Sequence, residues 1–284
     1  MRIRAVLGTG LAGVLLVPVL WLFGPAPADR SEPAATHFGG GSVLVYDQRG
    51  DGRIAQAVGD LASADRIAVL VPGVDNTLAN FATGLGNVTR RSPLWQATQV
   101  YREAEALAPG AKVAVVAWLG YDAPEGISRD ALREERAAAG ARALVRFVAD
   151  LAAYRPAADI TVVGHSYGSV VTGLAAHSLS SHVRDLVSVA SPGMGVERAA
   201  DLRTRARLWA GAAAADWIRR VPGLRIFGAG HGTLPTDPSF GARTLPVDGV
   251  AGHDGYFVPG TGSLRAIASI VVSGASQAGR PAAE

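Results

Sequence analysis

The 284-residue chain has no cysteine, a single lysine (Lys112) and two methionines. Without cysteine there is no disulfide framework, no thiolate zinc site, no cysteine nucleophile and no lipobox for lipidation. The scarcity of lysine leaves the positive charge to arginine, and the two signs nearly cancel: 27 basic against 24 acidic side chains, a net +3. Arg2 and Arg4 precede the first acid, Asp29, so beyond residue 28 the balance is only +1. Such a balance excludes a basic face built to neutralise phosphates, and with it nucleic-acid binding. The 35 glycines have no period of three, which excludes collagen, and 49% hydrophobic residues exclude intrinsic disorder. There is no His-Glu-x-x-His pattern, and His177 and His182 are five residues apart and do not share a helix face. No Gly-x-Gly-x-x-Gly or P-loop follows a strand. The sequence therefore calls for no metal and no nucleotide cofactor.

What the chain does have begins with a leader. Arg2 and Arg4 are followed by an apolar run from Ala5 to Phe23 and a small-residue Ala26-Pro27-Ala28 site. This is the layout of an export signal, and the run is also long enough for a retained membrane anchor. Either way residues 1–28 put the domain outside the cytoplasmic membrane, secreted or tethered through residues 5–23. Residues 29–42 are a Pro/Gly/Ser-rich linker, and residues 274–284 a disordered polar tail.

Between these lies one domain, residues 43–273, a length that α/β folds commonly use as a single unit. SVLVYD (42–47) and GRIAQAVGDL (52–61) read as strands around a glycine turn. RIAVLVPG (66–73), KVAVVAWLG (112–120) and DITVVGH (159–165) are continuous apolar runs, the signature of strands buried on both faces. RDLVSVASPG, ARLWAGAAA and ARTLPV are further strand candidates. Helical spacing over 128–153, and again after residue 168, alternates with these runs, which predicts a mostly parallel, doubly wound sheet flanked by helices.

Gly164-His165-Ser166-Tyr167-Gly168 matches Gly-x-Ser-x-Gly. The glycine and serine content alone produces such a match in about a quarter of chains, so the context decides. The pentapeptide stands between the strand ITVV and the helix SVVTGLAA, the strand–turn–helix that exposes a serine on a strained elbow. Ser166 is the predicted nucleophile. A hydroxyl needs a base and the base needs an orienting acid, in the chain order Ser, acid, His. His253, in the turn-rich AGHDGYF loop after the last strand candidate, is the predicted base; His231 precedes that strand and is the alternative. Asp216 follows ARLWAGAAA and is the predicted acid; Asp237 qualifies if RIFGAG is the penultimate strand. Asp216 can also be read simply as the N-cap of WIRRV. The backbone N–H groups of Val74, after VPG, and Tyr167, after the serine, are the predicted oxyanion donors. Trp118, Tyr121 and Asp122 follow a buried strand at its carboxyl end, where ligands collect, and are candidate substrate contacts.

Taken together, VLVPGVDNTLANF, AWLGYDAP, VVGHSYGSVVTGLAA, SPGMGV and HDGYFVPGTGSLRAIASIV resemble the actinobacterial α/β-hydrolase family once catalogued as a domain of unknown function, alpha/beta hydrolase 8. The resemblance covers residues 43–273. It implies the α/β-hydrolase fold, with Ser166 as nucleophile and His253 as base. The family's acid often sits in Gly-Asp-Pro, where this chain has Ala215-Asp216-Trp217. A second family pattern, His-Gly-x-Asp-Pro, reads His231-Gly232-Thr233-Leu234-Pro235 here and lacks its acid.

The expectation is an exported, esterase-like serine hydrolase acting on a small-molecule or lipid acyl ester. An acyltransferase or peptidase would use the same triad, and an idle hydrolase fold could serve as a binding module. No insertion is long enough for a large lid, which favours small or exposed substrates over bulk lipid interfaces.

Overall fold

The computed structural model describes residues 36–38, 42–221, 223 and 229–273. The leader, most of the linker, the tail and most of RIFGAG lie outside the described residues. Among the described residues no helix is long and apolar enough to cross a membrane.

The strands β1 (Val43–Asp47), β2 (Arg53–Val58), β3 (Arg66–Val71), β4 (Val113–Leu119), β5 (Asp159–His165), β6 (Val183–Val189), β7 (Arg207–Gly211) and β8 (Arg243–Thr244) form one sheet. Its order is β1-β2-β4-β3-β5-β6-β7-β8. β1 and β2 form an antiparallel hairpin whose turn uses Gly50 and Gly52 at positive φ, as the glycine signal predicted. β2 runs antiparallel to β4, and every later pairing is parallel. All seven residues of β4 are buried, which is why it reads as an unbroken apolar run with no alternation.

The crossovers are α1 (Pro93–Leu107), α2 (Glu135–Tyr154) and α3 (Gly168–Ala175), and α4 (Gly262–Ser273) ends the fold. On α2 the buried positions Ala137, Gly140, Ala141, Leu144, Phe147, Val148 and Leu151 recur every three to four residues and form one stripe. α1 packs against α4 and α2 against α3, as two layers. The chain steps from β3 to β4 on one side, then returns past β3 to β5. That reversal opens a crevice at the carboxyl ends of β3 and β5.

Two expectations are corrected in extent. The helix predicted from residue 128 begins at Glu135, and ARTLPV contributes only the two paired residues of β8. Both segments are surface connections, where burial gives periodicity little to act on.

The β6–β7 pair carries a half-buried ion pair. Asp185, fully buried, accepts from Arg207 Nε (2.8 Å), Arg207 Nη2 (2.7 Å) and Trp209 Nε1 (2.8 Å). Removing the carboxylate breaks three hydrogen bonds to a buried charge, with the Arg207 donors within reach of water, so Asp185→Ala is expected to cost about 3 kcal/mol. In thermal unfolding that is a midpoint lower by roughly 10 °C. A shift below about 2 °C would mean that water replaces the carboxylate without penalty.

Candidate active site

Ser166 sits at φ 55, a left-handed conformation costly for a residue with a Cβ. Its N–H donates to Val189 O (3.0 Å), and its carbonyl accepts from Ser169 Oγ (2.6 Å) and Ser169 N (2.9 Å). These bonds over-determine the strained turn. The flanking glycines are sterically required. A Cβ on Gly164 would lie 2.7 Å from Ser169 Cα, and one on Gly168 would lie 2.2 Å from Val71 O.

The loops after β7 and β8 bring Asp216 and His253, the predicted acid and base, to this serine. His253 Nε2 lies 2.9 Å from Ser166 Oγ, and His253 Nδ1 lies 2.9 Å from Asp216 Oδ1. With the carboxylate on one side, Nδ1 carries the proton and Nε2 is left to accept from the serine hydroxyl. Asp216 also caps the short 3-10 turn Trp217–Arg220, accepting from Ile218 N–H at 3.0 Å, so the capping and catalytic readings of this residue are compatible. Its second oxygen accepts from Tyr256 OH at 2.7 Å. Burial pushes the Asp216 carboxyl upward, but hydrogen bonds from His253, Ile218 and Tyr256 outweigh it and hold the pKa below the ordinary value.

The alternatives lie elsewhere. Asp237 is exposed and accepts from Ser239 N and Oγ. His231 is buried beside the Tyr167 ring, with Nε2 donating to Ala131 O at 2.8 Å. Asp254 turns away from its neighbour to pair with Arg91 at 2.6 Å.

The Gly73–Val74 peptide is clamped from its carbonyl side. Gly73 O accepts from Asn76 Nδ2 (3.1 Å) and more weakly from Tyr121 OH (3.4 Å). In a trans peptide the N–H points the opposite way, which directs the Val74 N–H away from that clamp. Among the described residues neither the Val74 nor the Tyr167 N–H has an acceptor. Both are available to a developing oxyanion. Gly73 is where the loop of the predicted oxyanion donor Val74 meets the serine: a Cβ there would stand 2.7 Å from Ser166 Cβ.

The predicted substrate contacts Trp118, Tyr121 and Asp122 do not line the cavity above Ser166. Trp118 and Tyr121 are buried in the core, their rings stacked 6.2 Å apart, and Asp122 pairs with Arg136. They do follow the end of β4, but their side chains pack beneath the loop. Tyr121 OH donates to Pro72 O at 2.7 Å and so supports the oxyanion loop from below. Burial keeps its phenol well above the ordinary pKa, so it remains a donor. The cavity, about 220 Å³, is lined instead by residues 72–76, Leu85, Arg91, Gln96, Gly126, Ile127, His165, Trp217 and Asp254 around Ser166 and His253.

Sequence reasoning missed Tyr256, Trp217 and His165. Tyr256 lies three residues past His253, a spacing that one tight turn brings onto the same carboxylate. Trp217 places its ring 4.6 Å from the His253 ring, where the family pattern has proline. His165 Nε2 lies 2.9 Å from His253 O, which makes it the donor and ties the elbow to the base loop.

Burial and the nearby His253 lower the His165 pKa from 6.5 to about 4. The unfolded chain takes up this proton near pH 6.5 and the folded chain only near pH 4. The unfolded state therefore binds more protons in that window, and stability falls as the pH drops through it. The contribution reaches roughly 2 to 3 kcal/mol near pH 4. A His165→Gln variant, which cannot titrate, is expected to lose less in unfolding midpoint than wild type between about pH 7.5 and 4.5. Equal losses would exclude His165 as a source of acid sensitivity.

Comparison with known proteins gives the family. The model of the family described as alpha/beta hydrolase, and named as its eighth group, matches residues 47–226. The chain is an alpha/beta hydrolase. An uncharacterized protein of Mycobacterium tuberculosis (strain H37Rv) is 34% identical over 169 residues, 57% of this chain and 62% of that protein. A second uncharacterized protein of the same strain is 28% identical over 262 residues, 80% of this chain and 38% of its own length. The match thus spans less than two thirds of these curated relatives. Among solved structures, a lidless a/b serine hydrolase from Xanthomonas campestris aligns with 88% of this hydrolase and 99% of that chain, at 16% identity and TM-score 0.45. An acetyl xylan esterase aligns with 74% and 100%, at 16% identity and TM-score 0.39.

Proposed function

We propose that this alpha/beta hydrolase is a serine hydrolase that cleaves carboxylic esters through an acyl-enzyme. The observation that carries the reading is the continuous hydrogen-bonded line from Ser166 Oγ through His253 to Asp216, with 2.9 Å at each junction, starting from a strained serine. Ser166 Oγ attacks the ester carbonyl while His253 Nε2 takes its proton, and Asp216 holds the imidazolium that forms. The carbonyl oxygen becomes an oxyanion facing the Val74 and Tyr167 N–H groups, each worth about a hundredfold or more in rate. Collapse breaks the C–O bond, and the alcohol leaves with the proton from His253. A water then repeats the cycle in reverse roles, releasing the acid and restoring Ser166. The Arg2/Arg4 and Ala5–Phe23 layout supports action outside the cytoplasmic membrane.

The test is labelling with a fluorophosphonate alongside hydrolysis of p-nitrophenyl acetate, for wild type and Ser166→Ala. Labelling and hydrolysis are expected to vanish together in the variant. A folded wild type that neither labels nor hydrolyses would overturn the reading, and labelling that survives the substitution would move the nucleophile to another residue.

A further inference from the structure

Six large hydrophobic side chains stand exposed among the described residues: Val43, Tyr46, Leu85, Ile127, Leu132 and Trp217. Three of them, Leu85 (38% exposed), Ile127 (74%) and Trp217 (38%), line the cavity above Ser166. They come from three separate loops, after β3, β4 and β7, so no single local pattern explains their convergence. Scattered surface hydrophobics are ordinary, but a cluster rimming a site marks what that site binds.

The cavity itself is small. Its volume of about 220 Å³ falls below the range of roughly 300 to 1,000 Å³ that encloses drug-sized ligands. It admits the reacting ester group and little more, so the rest of a larger substrate must lie across the rim. Arg91 and Asp254, both on the cavity wall, neutralise each other through the 2.6 Å bond. Among the described residues the cavity wall offers no unpaired cation to an anionic substrate: its third ionic group, Asp75, is itself a carboxylate and accepts from Gly126 N–H.

On the serine-hydrolase reading above, we propose that the substrate is an uncharged ester with a long apolar chain. Its carbonyl enters the cavity, and its chain lies against Leu85, Ile127 and Trp217. Trp217 joins the collar to the catalytic line, since its ring lies 4.6 Å from the His253 ring and its side chain stays 38% exposed.

The test is a series of p-nitrophenyl esters from acetate to octanoate, kept below their aggregation concentrations. Each methylene half-covered by the collar raises kcat/KM about twofold, so the octanoate-to-acetate ratio is expected to exceed about ten. Leu85→Ser/Ile127→Ser brings the ratio near one. Val43→Ser/Tyr46→Ser, which removes exposed apolar groups on the remote edge strand β1, keeps it. A wild-type ratio near one, or a collar variant that retains the preference, overturns the proposal. A calorimetric titration of Ser166→Ala with p-nitrophenyl octanoate and with acetate reads the same preference without turnover. If chain-dependent, collar-dependent binding appears while wild type hydrolyses no ester, the hydrolase reading fails and the collar stands. If wild type hydrolyses esters with no chain preference, the collar fails and the hydrolase reading stands.

Discussion

Asp216→Asn is expected to lower kcat toward p-nitrophenyl acetate by about 10⁴-fold while leaving the fold intact. The carboxylate accepts three hydrogen bonds: His253 Nδ1–H and Ile218 N–H on one oxygen, Tyr256 OH on the other. Tyr256 OH has little choice of direction, because it already accepts from Ala213 N–H at 2.8 Å. An amide offers one acceptor and one donor, so either orientation sets a donor against a donor. With its NH₂ toward His253 and Ile218, it forces the proton onto Nε2 and deprives Ser166 of a base. With its NH₂ toward Tyr256, the base keeps its tautomer but loses the charge that stabilises the imidazolium. Removing the competing hydroxyl relieves the second orientation. Adding Tyr256→Phe to Asp216→Asn is therefore expected to restore about tenfold, although Tyr256→Phe alone is harmful. Single-turnover and steady-state rates on the four proteins of this cycle check it. A variant Asp216→Asn that keeps more than a tenth of wild-type turnover would remove Asp216 from the mechanism.

Gly168→Ala carries the second large effect, and it falls on stability and activity together. The added Cβ would lie 2.2 Å from Val71 O and 2.6 Å from Pro72 O, both backbone atoms at the end of β3. No side chain can rotate aside, so β3 and the oxyanion loop must move away from the elbow. Overpacking against backbone costs about 3 kcal/mol here, seen as an unfolding midpoint lower by roughly 10 °C. The displaced loop carries Val74, and a shift of about 1 Å at such a group reduces kcat on the order of a hundredfold. Calorimetric unfolding and ester turnover measure the two losses on the same preparation. A variant with wild-type midpoint and rate would mean that helix and strand are farther apart than the geometry places them.

The elbow is legible along the chain because its causes are local. A buried strand, a Gly-x-Ser-x-Gly turn and a helix occupy consecutive residues, and Gly164 answers to Ser169 within the same turn, whereas Gly168 answers to β3. The same holds for the apolar runs of β3, β4 and β5, whose lack of alternation follows from burial on both faces. His253 is identifiable by position, since few histidines follow the last strands.

Tertiary structure alone decided between Asp216 and Asp237. Both follow strand-like segments, and only the path of the loop after β7 places one carboxylate against His253 and leaves the other on Ser239. It likewise turned Trp118 and Tyr121 from expected substrate contacts into core and loop support, because side-chain direction at a strand's end depends on what packs above it. The convergence of Leu85, Ile127 and Trp217 is invisible along the chain for the same reason. Sequence determines which segments bury themselves and where a turn must strain, since those depend on near neighbours. Which side chains meet across loops far apart in the chain depends on the order of strands in the sheet that carries them.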